Sequence, residues 1–139
     1  MQVFSYNVNG IRAAISKGFL QWLEVNSPDV ICLQEIKATQ EQIPLMEIEM
    51  LGYHHYWFPA KKKGYSGVAI LSKVEPDNVV FGMNKTEYDA EGRFLRADFG
   101  DISVVSVYHP SGTSGDERQD FKMEWLEFFR SYVNELRKE

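Results

Sequence analysis

The sequence predicts an α/β (α+β) protein in which a mixed β-sheet is covered by helices on one face. Three observations support this fold class: short apolar runs separated by Gly, Pro, Asn and Asp, helical spacing of apolar residues near both ends, and a hairpin signal between them. The 139 residues suffice for one domain, and 44% of them are hydrophobic, as in ordinary globular proteins. We expect about seven strands and three helices, with antiparallel strands in the middle of the chain.

The first part of the chain alternates strands and helices. Residues 2–8 form a strand, because apolar or aromatic side chains recur at every second position. Residues 11–26 contain a helix that the following Ser-Pro-Asp sequence ends. Residues 30–33 are a continuous apolar run, typical of a strand buried on both faces. Residues 39–50 are predicted to be a helix whose first residue, a threonine, is the candidate N-cap.

The later part of the chain contains the other strands and one long helix. Strand character returns in three segments, residues 53–58, 68–71 and 78–81. Residues 94–99 and 102–108 are apolar or alternating, and the Gly100-Asp101 pair between them is a two-residue hairpin signal. From Asp116 to Glu139, apolar residues recur at three- and four-residue spacing and charges fill the other face, which predicts an amphipathic helix.

One face of this sheet has no cover in the predicted arrangement. Residues 30–33 and 104–107 are apolar on both sides of their strands, whereas one helical layer covers only one side. We therefore expect the second face to need a partner layer that this chain does not encode.

Composition argues against several classes of function. No apolar run approaches the roughly 20 residues of a membrane helix, and nothing before the first strand suggests a signal or transit peptide. The net charge of −5 argues against binding nucleic acid by bulk charge, but it allows an enzyme that grips phosphate locally. Cys32 is the only cysteine, and we expect an inert core thiol in a reducing compartment.

Three polar residues, Asn7, Glu35 and Tyr108, stand at the ends of apolar strands. If these strands run parallel, their ends share one rim of the sheet, where α/β proteins place their sites. A carboxylate there suits Mg²⁺, an amide can orient the carboxylate or its water, and a phenol can contact phosphate or donate a proton. Simpler interpretations stay open, namely a solvated glutamate, a turn asparagine and a core tyrosine.

Other polar groups carry weaker signals. His54 and His55 are adjacent, which is poor spacing for metal ligands, and we interpret them as structural or solvated. The three lysines at 61–63 could reach phosphate, but a short lysine run is usually a solvated loop tip. No Walker-type phosphate loop, GxSxG elbow or zinc-ligand spacing is present.

Five motifs follow one another along the chain. They are Asn7-Val8-Asn9-Gly10-Ile11-Arg12, Pro28-Asp29-Val30-Ile31-Cys32-Leu33-Gln34-Glu35-Ile36-Lys37, Gly64-Tyr65-Ser66-Gly67-Val68-Ala69-Ile70-Leu71-Ser72, Glu91-Gly92-Arg93 and Tyr108-His109-Pro110-Ser111-Gly112. In this order they resemble the exonuclease III / apurinic (AP) endonuclease family. The L-Q-E-x-K pattern alone marks the wider endonuclease/exonuclease/phosphatase superfamily, and the Y-S-G-V pattern with N-G-x-R indicates the DNA-repair branch.

The resemblance implies a Mg²⁺-dependent DNA-repair phosphodiesterase, with Mn²⁺ as an alternative cation. Its substrate would be double-stranded DNA with abasic sites or 3′ ends, in the bacterial cytoplasm and without a membrane. Glu35 and Asn7 would hold the metal, and Tyr108 would be catalytic. Five residues fall where the family touches its substrate: Arg12, Lys17, Tyr65, Ser66 and Ser111. Relatives often have Asn or Gln at the position of Ser111.

The resemblance covers the N-terminal half of a four-layer α/β sandwich of the DNase-like type. The family's later G-D-x-N and S-D-H motifs, which carry proton-transfer groups, do not occur in residues 1–139. We therefore expect a single partial domain over residues 1–139, about one sheet with its helices, and an incomplete active site that is inactive alone. The missing C-terminal half or a second copy would cover the exposed sheet face.

Two other functions stay open. The chain could be a non-catalytic half-fold that dimerises sheet to sheet, or part of a superfamily phosphoesterase that attacks inositol phosphates, RNA tails or lipids.

Overall fold

The computed structural model describes residues 1–110 and 116–137. In this part of the chain the elements are β1 (Val3–Asn7), α1 (Ile11–Ser16), α2 (Phe19–Asn26), β2 (Val30–Gln34), a 3₁₀ turn (Gln40–Gln42), α3 (Leu45–Met50), β3 (His54–Phe58), β4 (Val68–Ser72), β5 (Asn78–Phe81), α4 (Thr86–Asp89), β6 (Phe94–Phe99), β7 (Ile102–Val107) and α5 (Asp116–Leu136). The chain forms two compact units, one of residues 1–108 and one that begins at His109.

The strands of the first unit form two sheets rather than one. The first sheet has the order β1-β2-β4-β3, and only its β1–β2 pair is parallel. The second sheet is the antiparallel meander β5-β6-β7. The mixed α/β class is confirmed, but the expectation of about one sheet is wrong, because the hairpin at Gly100 belongs to a separate sheet.

The second sheet packs on the face of the first sheet that was expected to be bare. Along β2, Ile31 and Leu33 join a cluster with residues of α1, α2 and α3. Val30 and Cys32 point the other way and pack with Val104 and other residues of the second sheet. Within the first unit, the helices α1 to α3, the first sheet and the second sheet are therefore three successive layers. The prediction that the chain does not encode a cover for this face is wrong.

The buried position of Cys32 between the sheets makes its thiol unreactive. The side chain is 3% exposed, and burial raises the pKa of the thiol from 9.0 to about 12. Because the thiolate is the nucleophile, we expect Ellman's reagent to leave the folded chain unmodified at pH 8 and to label it once in urea. Rapid labelling of the folded chain would contradict this packing.

Two predicted helices are each divided by a residue that interrupts helical geometry. Gly18, with φ of +104°, separates α1 from α2 within the predicted span 11–26. Pro44 directly precedes α3 and divides the predicted span 39–50, because proline lacks the N–H that a continuing helix needs. The Thr39 N–H does donate to the Gln42 side chain (3.1 Å), so a cap is present there.

The second unit contains α5, which confirms the helix predicted from Asp116. Trp125 and Phe129 lie one turn apart on it, and their rings stack with centroids 5.1 Å apart. The His109 ring meets both of them edge-on. Across the described ranges 1–110 and 116–137, we find no helix with the length and apolarity needed to cross a membrane.

Candidate active site

The ends of β1 and β2 meet at one rim of the first sheet. Asn7 is paired in register with Gln34, the residue before Glu35. Beyond the strands, the Val8 N–H donates to the Gln34 carbonyl (3.0 Å), and the Gly10 N–H donates to the Glu35 carbonyl (2.7 Å). The rim predicted for the amide and the carboxylate is therefore formed by two parallel neighbours.

Tyr108 reaches this rim from the second sheet. Its hydroxyl donates to Oε1 of Glu35 at 2.8 Å. Two residues earlier, the Ser106 hydroxyl donates to the Leu33 carbonyl at 2.9 Å, so β7 runs across β2 in the same direction. The predicted juxtaposition of carboxylate and phenol is found, but it arises between two packed sheets. The idea that all three strands share one sheet is wrong.

The backbone at Glu35 directs its carboxylate toward the second sheet. Gln34 already faces that sheet, since its amide donates to Ser106 Oγ (3.3 Å). Regular strand alternation would send the next side chain to the helical face. Glu35 instead has φ of +54°, a left-handed conformation that costs about 1–3 kcal/mol for a residue other than glycine. Such strain is typical of functional sites, where the surrounding structure maintains it.

The Tyr108 phenol is held in its neutral form. Its pKa is raised from 10.0 to about 12, first by desolvation and then by the hydrogen bond to Glu35 and that carboxylate's negative charge. The nearby Arg93 guanidinium acts in the opposite direction. At neutral pH the phenol therefore remains a hydrogen-bond donor.

The titration of Tyr108 provides a test of this environment. In a chain labelled with ¹³C-tyrosine, we expect the signal that Tyr108→Phe removes to titrate near pH 12, and Glu35→Gln to lower its pKa. The folded pKa lies above the unfolded value of 10.0, so this contribution to stability is complete below about pH 10 and is lost toward about pH 12. Titration of the Tyr108 signal below pH 10 would contradict the contact with Glu35.

A buried arginine that the predicted site did not include lies directly behind Tyr108. Arg93 is 2% exposed. It donates from Nε to Glu91 Oε1 (2.8 Å), from Nη1 to the Tyr108 carbonyl (3.1 Å) and from Nη2 to the Tyr65 hydroxyl (2.8 Å). The E-G-R motif contained the signal, because an arginine directly before an apolar strand needs buried partners.

Lys37 connects the loop after β2 with the loops that follow β1 and precede β4. Lys37, two positions after Glu35 in the sequence, donates from Nζ to Asn9 Oδ1 at 2.7 Å. Its positive charge is therefore held beside the loop that follows β1. Its backbone N–H donates to the Ser66 carbonyl (2.9 Å), and this joins the loop after β2 to the loop before β4. Asn9, Lys37 and Ser66 all have positive φ, as Glu35 does. Left-handed residues are therefore concentrated around the carboxylate.

The substrate-binding residues predicted from the resemblance do not all line the same cleft. Arg12 and Tyr65 line a cleft of about 350 Å³ together with Lys62 and Lys63. Lys17 lines a different cleft, of about 750 Å³, beside β1 and α2.

The two predicted serines have different outcomes. Ser66 is 2% exposed, and its Oγ has no hydrogen-bond partner within residues 1–110 and 116–137. Its side chain thus lies under the loop surface. Ser111 lies outside the described residues.

The donors at the rim are compatible with a hard cation. Glu35 is half-buried and supplies a carboxylate, while Asn7 is exposed and supplies an amide oxygen that also accepts the Asn9 N–H (3.0 Å). One carboxylate with one neutral oxygen suits Mg²⁺, which keeps most of its waters, and is a poor match for Zn²⁺. No group of three or more His, Cys, Asp or Glu side chains that could hold a metal occurs in the described part of the chain.

Comparison with known proteins identifies the family. Residues 4–138 match the endonuclease/exonuclease/phosphatase family. The chain is 44% identical over 137 residues to an exodeoxyribonuclease of Bacillus subtilis, covering 98% of this chain and 53% of that protein. It is 42% identical over 135 residues to the DNA repair nuclease APEX1 of Danio rerio, covering 96% and 44%.

A solved structure gives the same result for the fold. An AP endonuclease from Archaeoglobus fulgidus superposes with a TM-score of 0.82 at 35% identity, covering 96% of this chain and 50% of that one. The chain thus spans about half the length of these three relatives. It belongs to the endonuclease/exonuclease/phosphatase family, in the exonuclease III / AP endonuclease branch.

Proposed function

We propose that the whole protein containing this chain is a Mg²⁺-dependent DNA-repair phosphodiesterase. It would cleave duplex DNA 5′ to an abasic site and remove nucleotides from 3′ ends. The observation that carries this proposal is the 2.8 Å contact between the Tyr108 phenol and the Glu35 carboxylate at the rim. The names of the relatives, an exodeoxyribonuclease and a DNA repair nuclease, support DNA as the substrate.

Each rim residue would have a distinct role. Glu35 and Asn7 would hold the cation, and Mn²⁺ would substitute for Mg²⁺ because both accept oxygen ligands. When bound, the metal supplies a Lewis acid and stabilises negative charge on the phosphate. Tyr108 orients the Glu35 carboxylate through its one O–H. As a neutral phenol, it would donate to a phosphate oxygen only by giving up the hydrogen bond to Glu35.

DNA would be gripped locally, because the chain as a whole carries a net charge of −5. The cleft with Arg12, Lys62, Lys63 and Tyr65 brings three cationic side chains close to the tyrosine that Arg93 anchors. A phosphate backbone is the natural ligand of such a surface. We propose that Arg12 and Tyr65 contact DNA there, and that Lys17 contacts it separately.

We also propose that residues 1–139 alone turn over very slowly. The described residues place one carboxylate at the rim and do not gather a larger metal-binding cluster around it. Activation of water needs a base, which the remainder of the protein would supply. Sheet-to-sheet dimerisation stays an alternative, but it would use a face other than the one that the second sheet covers.

The test is an assay of the whole protein on a duplex with one abasic site, in Mg²⁺, Mn²⁺ or EDTA. We expect cleavage in either metal, none in EDTA, and a loss of about 100-fold or more in kcat for Tyr108→Phe. The 139-residue chain, assayed alongside, should be near background. Faster hydrolysis of inositol phosphates, RNA or lipids by the whole protein would instead favour another superfamily substrate.

A further inference from the structure

Arg93 connects two tyrosines that the proposed function uses in different ways. Its guanidinium contacts the Tyr108 carbonyl and the Tyr65 hydroxyl, and its Cζ lies 5.1 Å and 5.7 Å from the centroids of their rings. The Tyr108 N–H also donates to the Arg93 carbonyl at 2.9 Å. Tyr108 is thus held by both the backbone and the side chain of the same residue.

The geometry exceeds what charge pairing alone requires. Glu91 already neutralises Arg93, with Nε 2.8 Å from Oε1. The other guanidinium donors are directed to two neutral acceptors on separate segments of chain. A planar guanidinium presents its donors in a fixed fork, so contacts to three acceptors fix the relative positions of all three groups.

We propose that Arg93 is a positioning residue that sets the Tyr108 phenol against Glu35 and holds Tyr65 at the adjoining basic cleft. It would not touch the substrate or the metal. This inference rests on the proposed function, since it gives Tyr108 and Tyr65 their roles. It extends that function, because one buried side chain would connect the residue that contacts Glu35 with the tyrosine of the basic cleft proposed to bind DNA.

A merely structural ion pair predicts a different response to substitution. Arg93→Lys retains the positive charge beside Glu91, but an ammonium on a flexible stem cannot reproduce the fork. If Arg93 only neutralises Glu91, the lysine variant should behave like the native chain. If Arg93 positions Tyr108, the lysine variant should fold, but its Tyr108 phenol should no longer be held against Glu35. Arg96→Lys is the matched control, because Arg96 lies on β6, which begins one residue after Arg93, and pairs with Asp98.

The experiment uses the 139-residue chain labelled with ¹³C-tyrosine, with Mn²⁺ as the probe. Bound Mn²⁺ broadens the signals of nearby tyrosines, and Tyr108→Phe and Tyr65→Phe assign the two signals. In native chain and Arg96→Lys we expect strong broadening of the Tyr108 signal. In Arg93→Lys and Arg93→Met we expect about tenfold less broadening at saturating Mn²⁺, because broadening falls steeply with distance and the Tyr108 ring would no longer be held close to the ion.

The outcomes separate this inference from the function on which it rests. If Mn²⁺ does not broaden the Tyr108 signal in the native chain, the proposed metal site at Glu35 is wrong. Broadening that is equal in the native chain and both folded Arg93 variants would leave the metal site intact and overturn the positioning role. If circular dichroism shows that the Arg93 variants do not fold, Tyr65→Phe removes one acceptor and no charge. It should reduce the Tyr108 broadening, and an unchanged value would overturn the proposal.

Discussion

Replacing Glu35 with glutamine is expected to weaken Mn²⁺ binding by the 139-residue chain at least about tenfold, because metal affinity depends on the ligand charge. The substitution keeps the size of the side chain and an oxygen that can accept the Tyr108 hydrogen bond, which spans 2.8 Å. It removes the negative charge that the described part of the chain brings to the rim. In the whole protein, cleavage of abasic DNA should fall by about 100-fold or more.

Calorimetric titration with Mn²⁺ measures this effect on the chain directly. Glu49→Gln is the matched control, because it removes an exposed carboxylate away from the rim. Glu49 lies on α3 and contacts the ring of His55 on β3. The control should bind Mn²⁺ as the native chain does. Equal loss of affinity in both variants would show that Mn²⁺ affinity depends only on the net charge of the chain. Unchanged affinity in Glu35→Gln would show that the Glu35 carboxylate is not a ligand.

Gly92→Ala is expected to destabilise the chain by about 3 kcal/mol or more, in the range that large packing errors produce. A Cβ at this position would lie 2.5 Å from the Phe58 carbonyl oxygen and 2.8 Å from the Ala60 nitrogen. Both of these atoms are backbone atoms, so no side-chain rotation relieves the clash. The φ of +57° adds the smaller cost of a left-handed alanine. The neighbouring Arg93 network should be displaced as well.

Gly100→Ala separates the two causes. Gly100 has a similar φ of +60°, but a Cβ there meets no atom within 4 Å. Urea unfolding of this control should show a loss of about 1 kcal/mol, the conformational cost alone. A Gly92→Ala variant no less stable than the Gly100→Ala variant would mean that the chain at residues 58–60 is not packed against Gly92.

The position of the rim was predictable, because strand ends are marked in the sequence by polar residues that follow apolar runs. A continuous apolar run followed by Gln34 and Glu35 predicts a buried strand with a polar end, and the β1–β2 pairing confirms it. The identity of Tyr108 as the third member followed from the same strand-end pattern. Its contact with Glu35 is therefore a confirmed expectation, although roles in metal binding and catalysis stay predictions.

The division into two sheets was not predictable from periodicity. An apolar run such as residues 30–33 shows that a strand is buried on both faces, but the pattern does not say what covers each face. Here the cover is β5–β7 from the same chain. The choice between joining a sheet and packing on it depends on pairing between distant segments, and hydrophobic alternation is the same in both cases.

The supporting network was missed for a related reason. Arg93 lies 28 residues from Tyr65 and 15 from Tyr108 in sequence, so spacing along the chain contains no trace of their contacts. The left-handed φ at Glu35 is equally hidden, because glutamate has no preference for that conformation. The family motifs indicated that these positions belong together, but only the packed structure shows which atoms meet.

The central claim is that Glu35 holds a divalent cation beside the Tyr108 phenol. Anomalous diffraction from a crystal of this chain grown with Mn²⁺ locates such an ion directly. We expect an anomalous peak within coordination distance of a Glu35 carboxylate oxygen, next to the Asn7 amide and near the Tyr108 hydroxyl. An ordered Mn²⁺ peak elsewhere on the chain, with Glu35 bound only to Tyr108, would contradict it.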